Sequence, residues 1–119
     1  MDEPKEDGTV FLYTTWPDAE TARAAGQAAV EQGLAACANI FAPMTSIYRW
    51  KGAVEQAAET PMTLKTTAGR AAALRDLICA GHPYDLPCIL ALAVDHAASS
   101  PAFLAWIAAE TAPSSSRGA

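Results

Sequence analysis

The sequence predicts a single α+β domain in which two βαβ units share one sheet and a last helix follows them. Three observations carry this. β-Branched and aromatic runs alternate with alanine-rich stretches of helical period. A weak internal echo divides the chain, Tyr13-Thr14-Thr15 preceding the first helix as Lys65-Thr66-Thr67 precedes the second. Leu34-Ala-Ala-Cys37 opens a strand much as Leu86-Pro-Cys88 does. At 119 residues there is material for one core and no more.

Taken in order, Thr9 to Trp16 (TVFLYTTW) reads as a strand from its β-branched and aromatic content. Pro17-Asp18 opens a helix, with Asp18 as N-cap and Glu20 in a first turn where the dipole favours it. That helix runs to about Gln32 and stops at Gly33. Its stripe of Ala22, Gly26, Ala29 and Val30 is small enough to lie close against a sheet. From Leu34 the pattern alternates, with Cys37, Asn39 and Phe41 on one face and Ala36, Ala38 and Ile40 on the other. Pro43 interrupts it as a bulge or edge would.

The strand resumes as MTSIYRW, turns at Lys51-Gly52 and returns from Ala53 to Thr66, giving arms roughly twice the common length of five to six residues. Thr67 caps a helix over residues 68–80, with Ala71, Leu74, Leu77 and Ile78 at helical spacing, ended by Gly81 and Pro83. Asp85 to Val94 is nearly all apolar, the pattern of a strand buried on both faces. Ser100-Pro101 caps a final helix striped by Phe103, Leu104, Ile107 and Ala108. Right-handed crossovers then give a ferredoxin-like βαββαβ sandwich with both long helices on one face. The domain spans residues 9–112, and residues 1–8 and 113–119 are expected to be disordered polar tails.

A net charge of -5 and a pI near 4.8, with no basic stripe, exclude a nucleic-acid backbone as the natural partner. The acidic start lacks the features of a signal or transit peptide, and no apolar run is long enough for a membrane helix, so the cytoplasm is expected. Three cysteines without CxxC spacing fit a reducing compartment better than a disulfide framework.

A sheet covered by helices on one side leaves its other face bare. The long hairpin carries Tyr48 and Trp50 at its tip, SIYRWKG, and exposed edges of that length aggregate unless a defined partner satisfies them. The tip is therefore expected to pack on another copy of the chain, with Arg49 and Lys51 pointing outward or meeting Glu55 or Glu59. A solvated hairpin is the plainer alternative.

LAACANI, TSIYRWKG, LKTT, HPYDLP and FLAWI, in this order and over residues 10–110, closely resemble the CutA family of divalent-cation tolerance proteins. The resemblance implies a tight homotrimer made through the extended β-hairpins, kinship in architecture with PII signalling proteins, and an association with copper and other divalent cations. Departures accompany it. Where the family reads HPYE-x-PEI this chain reads HPYDLPCI, so Cys88 stands in place of a glutamate. Gly81 and Thr14 occupy positions where some members carry a histidine and a cysteine.

The metal candidates are His82, Cys88 and Cys37. Imidazole suits copper, zinc or nickel and thiolates suit Cu(I), if the three converge. Otherwise His82 caps the helix before Pro83, the two cysteines are small buried hydrophobes, and Cys79 belongs to packing or surface. Lys65, ending a strand before a helix N-terminus, can hold an anion. The resemblance places it with Tyr84 and Glu59 in a cleft between subunits. Against this stands a salt bridge of Lys65 with Glu59 or Asp85. No nucleophile elbow, phosphate loop or HExxH is present, and His96 lies in a polar loop, so catalysis is not expected. The reading is a homotrimer of divalent-cation tolerance that binds metal without catalysis. Its alternatives are a PII-like sensor of a small anion and a trimeric adaptor.

Overall fold

A computed structural model of the chain describes residues 7–113. The tails expected at 1–8 and 113–119 lie outside the described residues except for Asp7, Gly8 and Pro113, and the Gly8 carbonyl is held, accepting from Ala68 N at 2.8 Å.

Five strands and three helices follow in the order β1 (Thr9–Trp16), α1 (Ala19–Glu31), β2 (Cys37–Ile40), β3 (Met44–Trp50), β4 (Ala53–Thr67), α2 (Ala68–Gly81), β5 (Ile89–Ala93) and α3 (Pro101–Glu110). The sheet runs β2-β4-β1-β5, every pairing antiparallel, with β3 joined to β4 beyond it. This is the ferredoxin-like order expected from the two βαβ units. β1 forms because its alternation buries Val10, Leu12, Thr14 and Trp16 on one side.

Local chemistry sets the helix ends. Asp18 Oδ1 accepts from Thr21 N at 2.8 Å. The bond from that amide, with one from the Thr21 hydroxyl, holds the exposed Asp18 carboxyl below the usual carboxylate range. Gly33 follows the helix at φ 71°, the left-handed region that a Cβ disfavours. Ser100 Oγ accepts from Phe103 N at 3.3 Å, with Pro101 at the first helical position. Thr67 stands at the N-cap of α2 but makes no side-chain cap bond there; its hydroxyl lies 3.4 Å from that of Thr111.

The core lies between the sheet and the pair α1 and α2, around Leu12, Trp16, Met62, Leu64, Leu74 and Ile78. α1 comes close because Gly26 has no Cβ: one built there would sit 2.9 Å from Met62 Sδ and 3.1 Å from Ala38 Cβ. Val30, expected in the buried stripe of α1, is instead 41% exposed.

Since Ala38 and Met62 face α1, strand alternation turns Cys37, Asn39, Thr63 and Lys65 to the opposite face, together with Phe11 and Tyr13, which pair with Lys65 and Thr63. α3 covers only one end of this second face, at Thr67. The rest lies open. On it Leu90 and Leu92 of β5 are 60% and 51% exposed, so the strand expected to be buried on both faces is a bare edge in the single chain.

The arm is longer on its return than on its way out. Pro43 splits the outgoing half into β2 and β3 of 4 and 7 residues, whereas β4 runs unbroken for 15. Thr60–Thr67 of β4 pairs with β1, while Ala53–Glu59 pairs with β3 alone. The far half is thus a two-stranded ribbon outside the main sheet. Its turn is tight, with positive φ at both Lys51 (50°) and Gly52 (83°), as a type I′ turn requires.

Candidate functional site

Where the ribbon leaves the sheet, its open face and the loop between α2 and β5 enclose a groove of about 600 Å³. Met44, Ser46, Tyr48 and Trp50 alternate onto this face of β3, and Glu55 and Glu59 onto the facing side of β4. Tyr13 and Thr15 of β1 form the floor, and Tyr84, Asp85, Leu86 and Cys88 close the far wall. The charged side chains lining the groove are all carboxylates: Glu55, Glu59 and Asp85.

Tyr84 reports the electrostatics. Burial, then the charge of Glu59 and a hydrogen bond to it, hold the Tyr84 hydroxyl proton above the ordinary value of 10.0, with smaller contributions from Tyr48 and Asp18. The ring therefore stands in the groove as a neutral donor.

Of the candidates named from sequence, the groove brings together Tyr48, Trp50, Glu59, Tyr84, Asp85 and Cys88. Lys65 is elsewhere. It lies on the same strand as Glu59 but six residues further along, about 20 Å at the rise of a β-strand. Its Nζ donates to Asn39 Oδ1 at 2.5 Å and to Cys37 Sγ at 3.5 Å, and sits 5.8 Å from the centroid of Phe11. Within one chain neither the anion cleft around Lys65 nor its salt bridge with Glu59 is assembled.

Nor do His82, Cys88 and Cys37 fit a metal centre within one chain. Cys37 opens β2 and Cys88 leads into β5, at opposite ends of the order β2-β4-β1-β5; three strand spacings make about 14 Å. The register adds to the separation, since Cys37 is level with Lys65 and Phe11 while Ile89 is level with Thr14. The imidazole of His82 is already committed. Its Nδ1 accepts from Tyr84 N at 3.1 Å, so Nε2 carries the hydrogen that it donates to the Thr15 carbonyl at 2.8 Å. No ring lone pair remains for a metal. Among the described residues no three His, Cys, Asp or Glu side chains gather as metal ligands would. His82 thus binds the α2 end to the β1 end and sets Tyr84 against the groove.

His96 is exposed in its loop, but its Nε2 accepts from Thr9 N at 2.9 Å. Cys79 is exposed on α2. Sequence reasoning missed Ile47 and Val54, 66% and 65% exposed on the other face of the ribbon. The signal was present: in SIYRW, period-two alternation sends Ile47 to the face opposite Tyr48.

Comparison with known proteins agrees with this architecture. Residues 10–110 match the family described as CutA1 divalent ion tolerance protein. The chain is 39% identical over 97 residues to the divalent-cation tolerance protein CutA of Archaeoglobus fulgidus, covering 82% of this chain and 92% of that one. It is 36% identical over 95 residues to Protein CutA of Mus musculus, covering 80% of this chain but only 52%, about half, of the mouse protein. Among solved structures, CutA1 from the psychrotrophic bacterium Shewanella sp. SIB1 superposes with a TM-score of 0.85 at 30% identity, covering 92% and 100% of the two chains. The A. fulgidus structure, named a periplasmic divalent cation tolerance protein, gives 0.82 at 37% identity, covering 87% and 98%.

Proposed function

The chain belongs to the CutA1 divalent ion tolerance protein family, and from that premise we propose that it serves divalent-cation tolerance, copper included, as a non-catalytic homotrimer joined through its hairpin arms. The observation that carries the assembly is the ribbon formed by β3 and residues 53–59 of β4. A two-stranded ribbon is marginal in water by itself. This one projects Ile47 and Val54 from one face and Tyr48 and Trp50 from the other, and the bare edge of β5 offers Leu90 and Leu92. Laid along a second copy, the arm gains main-chain hydrogen bonds and apolar cover at once. Arm against sheet is a contact between unlike surfaces, so it stays finite only by closing a ring.

Cation contact falls to the groove. Cys88 supplies a soft thiolate and Glu59 and Asp85 supply carboxylates, donors suited to copper and to harder divalent ions respectively. Among the described residues no three such donors converge on one point, so capture by a single chain is weak and exchangeable, which suits a metal held as cargo rather than as a resident centre. The non-catalytic reading fits the histidines, for both nitrogens of His82 and Nε2 of His96 are engaged in fixed bonds. A reducing compartment such as the cytoplasm suits three unpaired cysteines. Neither the small-anion sensor nor the adaptor is favoured by an observation, since the groove's charges are negative and Lys65 lies outside it.

Sedimentation equilibrium tests the assembly: a mass three times the 12.4 kDa of the chain is expected, and a folded monomer at micromolar concentration would overturn it. Calorimetric titration with copper tests the rest, with Cys88→Ser expected to weaken binding and Cys79→Ser, exposed on α2 outside the groove, to leave it unchanged.

A further inference from the structure

Two observations meet where α3 and the loop before it approach the start of β1. Thr9 N donates to His96 Nε2 at 2.9 Å. A ring nitrogen accepts a hydrogen bond only while it carries no proton, so this bond belongs to the neutral imidazole, with its hydrogen on Nδ1. The other observation is a buried polar atom. Thr9 is 4% exposed, and its Oγ1 has no hydrogen-bond partner. Thr9 stands opposite Thr67, whose hydroxyl meets that of Thr111, so strand pairing turns the Thr9 side chain to the face on which α3 lies. A buried hydroxyl without a partner disfavours the closed arrangement. That arrangement is therefore held by a bond that needs a neutral ring and opposed by a hydroxyl that needs water.

α3 is tied unequally at its two ends. Toward its C-terminus Ile107 is buried, and Arg70 Nε donates to the Thr111 carbonyl at 2.9 Å. Its N-terminus hangs on residues 94–100, which join β1 through the His96 bond and through Val94 N, donating to the Thr9 carbonyl at 3.3 Å. A hollow of about 720 Å³ lies at this end, lined in part by Thr9, Val94, His96, Pro101 and Leu104. The first turn of α3 is thus not packed down on the sheet.

We propose that His96 is a pH-operated latch: the neutral ring holds residues 94–100 and the first turn of α3 against β1, and protonation releases them. A proton taken up on Nε2 sets one donor against another at Thr9 N and removes the acceptor of a buried amide. Of the charged groups around the ring, Asp7 shares the hollow from the segment before β1 and offers the imidazolium a carboxylate to turn to. Asp95 is occupied, its Oδ1 accepting from Ala97 N at 3.0 Å and Ala98 N at 3.4 Å. The residues of β5 and α3 that line the hollow are uncharged. Both partners of the latch belong to one chain, and Thr9 is already buried within it, so the device rests neither on the trimer nor on metal capture.

The test is amide hydrogen exchange of the full chain by nuclear magnetic resonance from about pH 8 to about pH 5.5, with the histidine rings titrated in the same samples. Protection is taken relative to the intrinsic exchange rate at each pH. As His96 protonates, the Thr9 amide is expected to lose at least about fivefold in protection. Leu104 N, bonded to the Ser100 carbonyl in the first turn of α3, should fall with it, while Thr111 N in the last turn keeps its protection. In His96→Gln the side-chain carbonyl can accept at any pH, and in His96→Ala nothing can, so both variants should show a flat response. Four outcomes would overturn the latch: Thr9 protection that ignores the His96 titration, a Leu104 amide that stays protected when Thr9 does not, equal loss at Thr111, or a variant that keeps the parent's response.

Discussion

The imidazole of His82 lies on the indole of Trp16, ring centroids 4.2 Å apart and planes 28° from parallel. Trp16 is fully buried, and its Nε1 donates to Thr14 Oγ1 at 2.7 Å, which donates in turn to the Met62 carbonyl at 2.7 Å. With the bonds from His82 to Thr15 and Tyr84, a chain of polar contacts locks the loop after α2 onto the end of β1. His82→Ala removes the stacked ring and leaves the Thr15 carbonyl without this donor. The expected loss is about 1–3 kcal/mol, read by urea denaturation. A variant as stable as the parent would show that the loop is held by other contacts.

Gly26→Ala is expected to destabilise despite improving the helix. Alanine is favoured over glycine inside a helix by about 1 kcal/mol. Here the added methyl meets buried Met62 Sδ at 2.9 Å and Ala38 Cβ at 3.1 Å. Met62 can rotate only within a filled core, and Ala38 can yield only by moving β2. Overpacking of this kind costs about 1–3 kcal/mol, so the net change is a modest loss, measurable by the same denaturation. A stabilised variant would mean that α1 can lift from the sheet freely.

The elements with local punctuation were legible: Asp18 before α1, Gly33 after it, Lys51-Gly52 at the turn and Ser100-Pro101 before α3 each carry their own cause in one or two residues. β5 was legible as a strand but not in its environment. An apolar run has the same pattern whether its own chain or a neighbour's covers it, and Leu90 and Leu92 are covered by neither within one chain. The candidate site divided for non-local reasons. Strand order, which no short motif encodes, put Cys37 and Cys88 at opposite edges. The partner that occupies His82 Nε2 is Thr15, 67 positions away. Lys65 and Glu59 are different: their separation along one extended strand followed from the sequence by arithmetic alone.

Glu59→Gln should lower the titration midpoint of Tyr84. Burial raises that midpoint above 10.0, and the negative charge of Glu59 raises it further by opposing a second negative charge nearby. Removing the carboxylate leaves burial and the smaller contributions of Tyr48 and Asp18, so the midpoint falls toward 10.0 without reaching it. Because the folded value exceeds the unfolded one, the protonated ring contributes stability that is fully present below pH 10.0 and is lost as pH rises through the folded midpoint. Ultraviolet difference titration of the parent and Glu59→Gln, with Tyr84→Phe to assign the transition, checks the shift. An unmoved midpoint would place Glu59 too far from the phenol to act on it.

Leu92→Glu should dissociate the proposed trimer without unfolding the subunit. Leu92 is 51% exposed at the free edge of the sheet, so a glutamate there remains solvated in one chain and little intrinsic stability is lost. In a ring whose arms cover that edge, the same carboxylate enters an apolar contact, and three symmetric copies bring three charges out of water together. Subunits that bind one another only when folded make the melting temperature rise with protein concentration. The parent is expected to show that dependence and Leu92→Glu to lose it while sedimenting near 12.4 kDa. Ile47→Glu, on the arm that makes the other half of the contact, should behave alike. A parent whose melting point ignores concentration, or a Leu92→Glu protein that keeps its full mass, would mean that the exposed leucines of β5 face water and the subunits meet elsewhere.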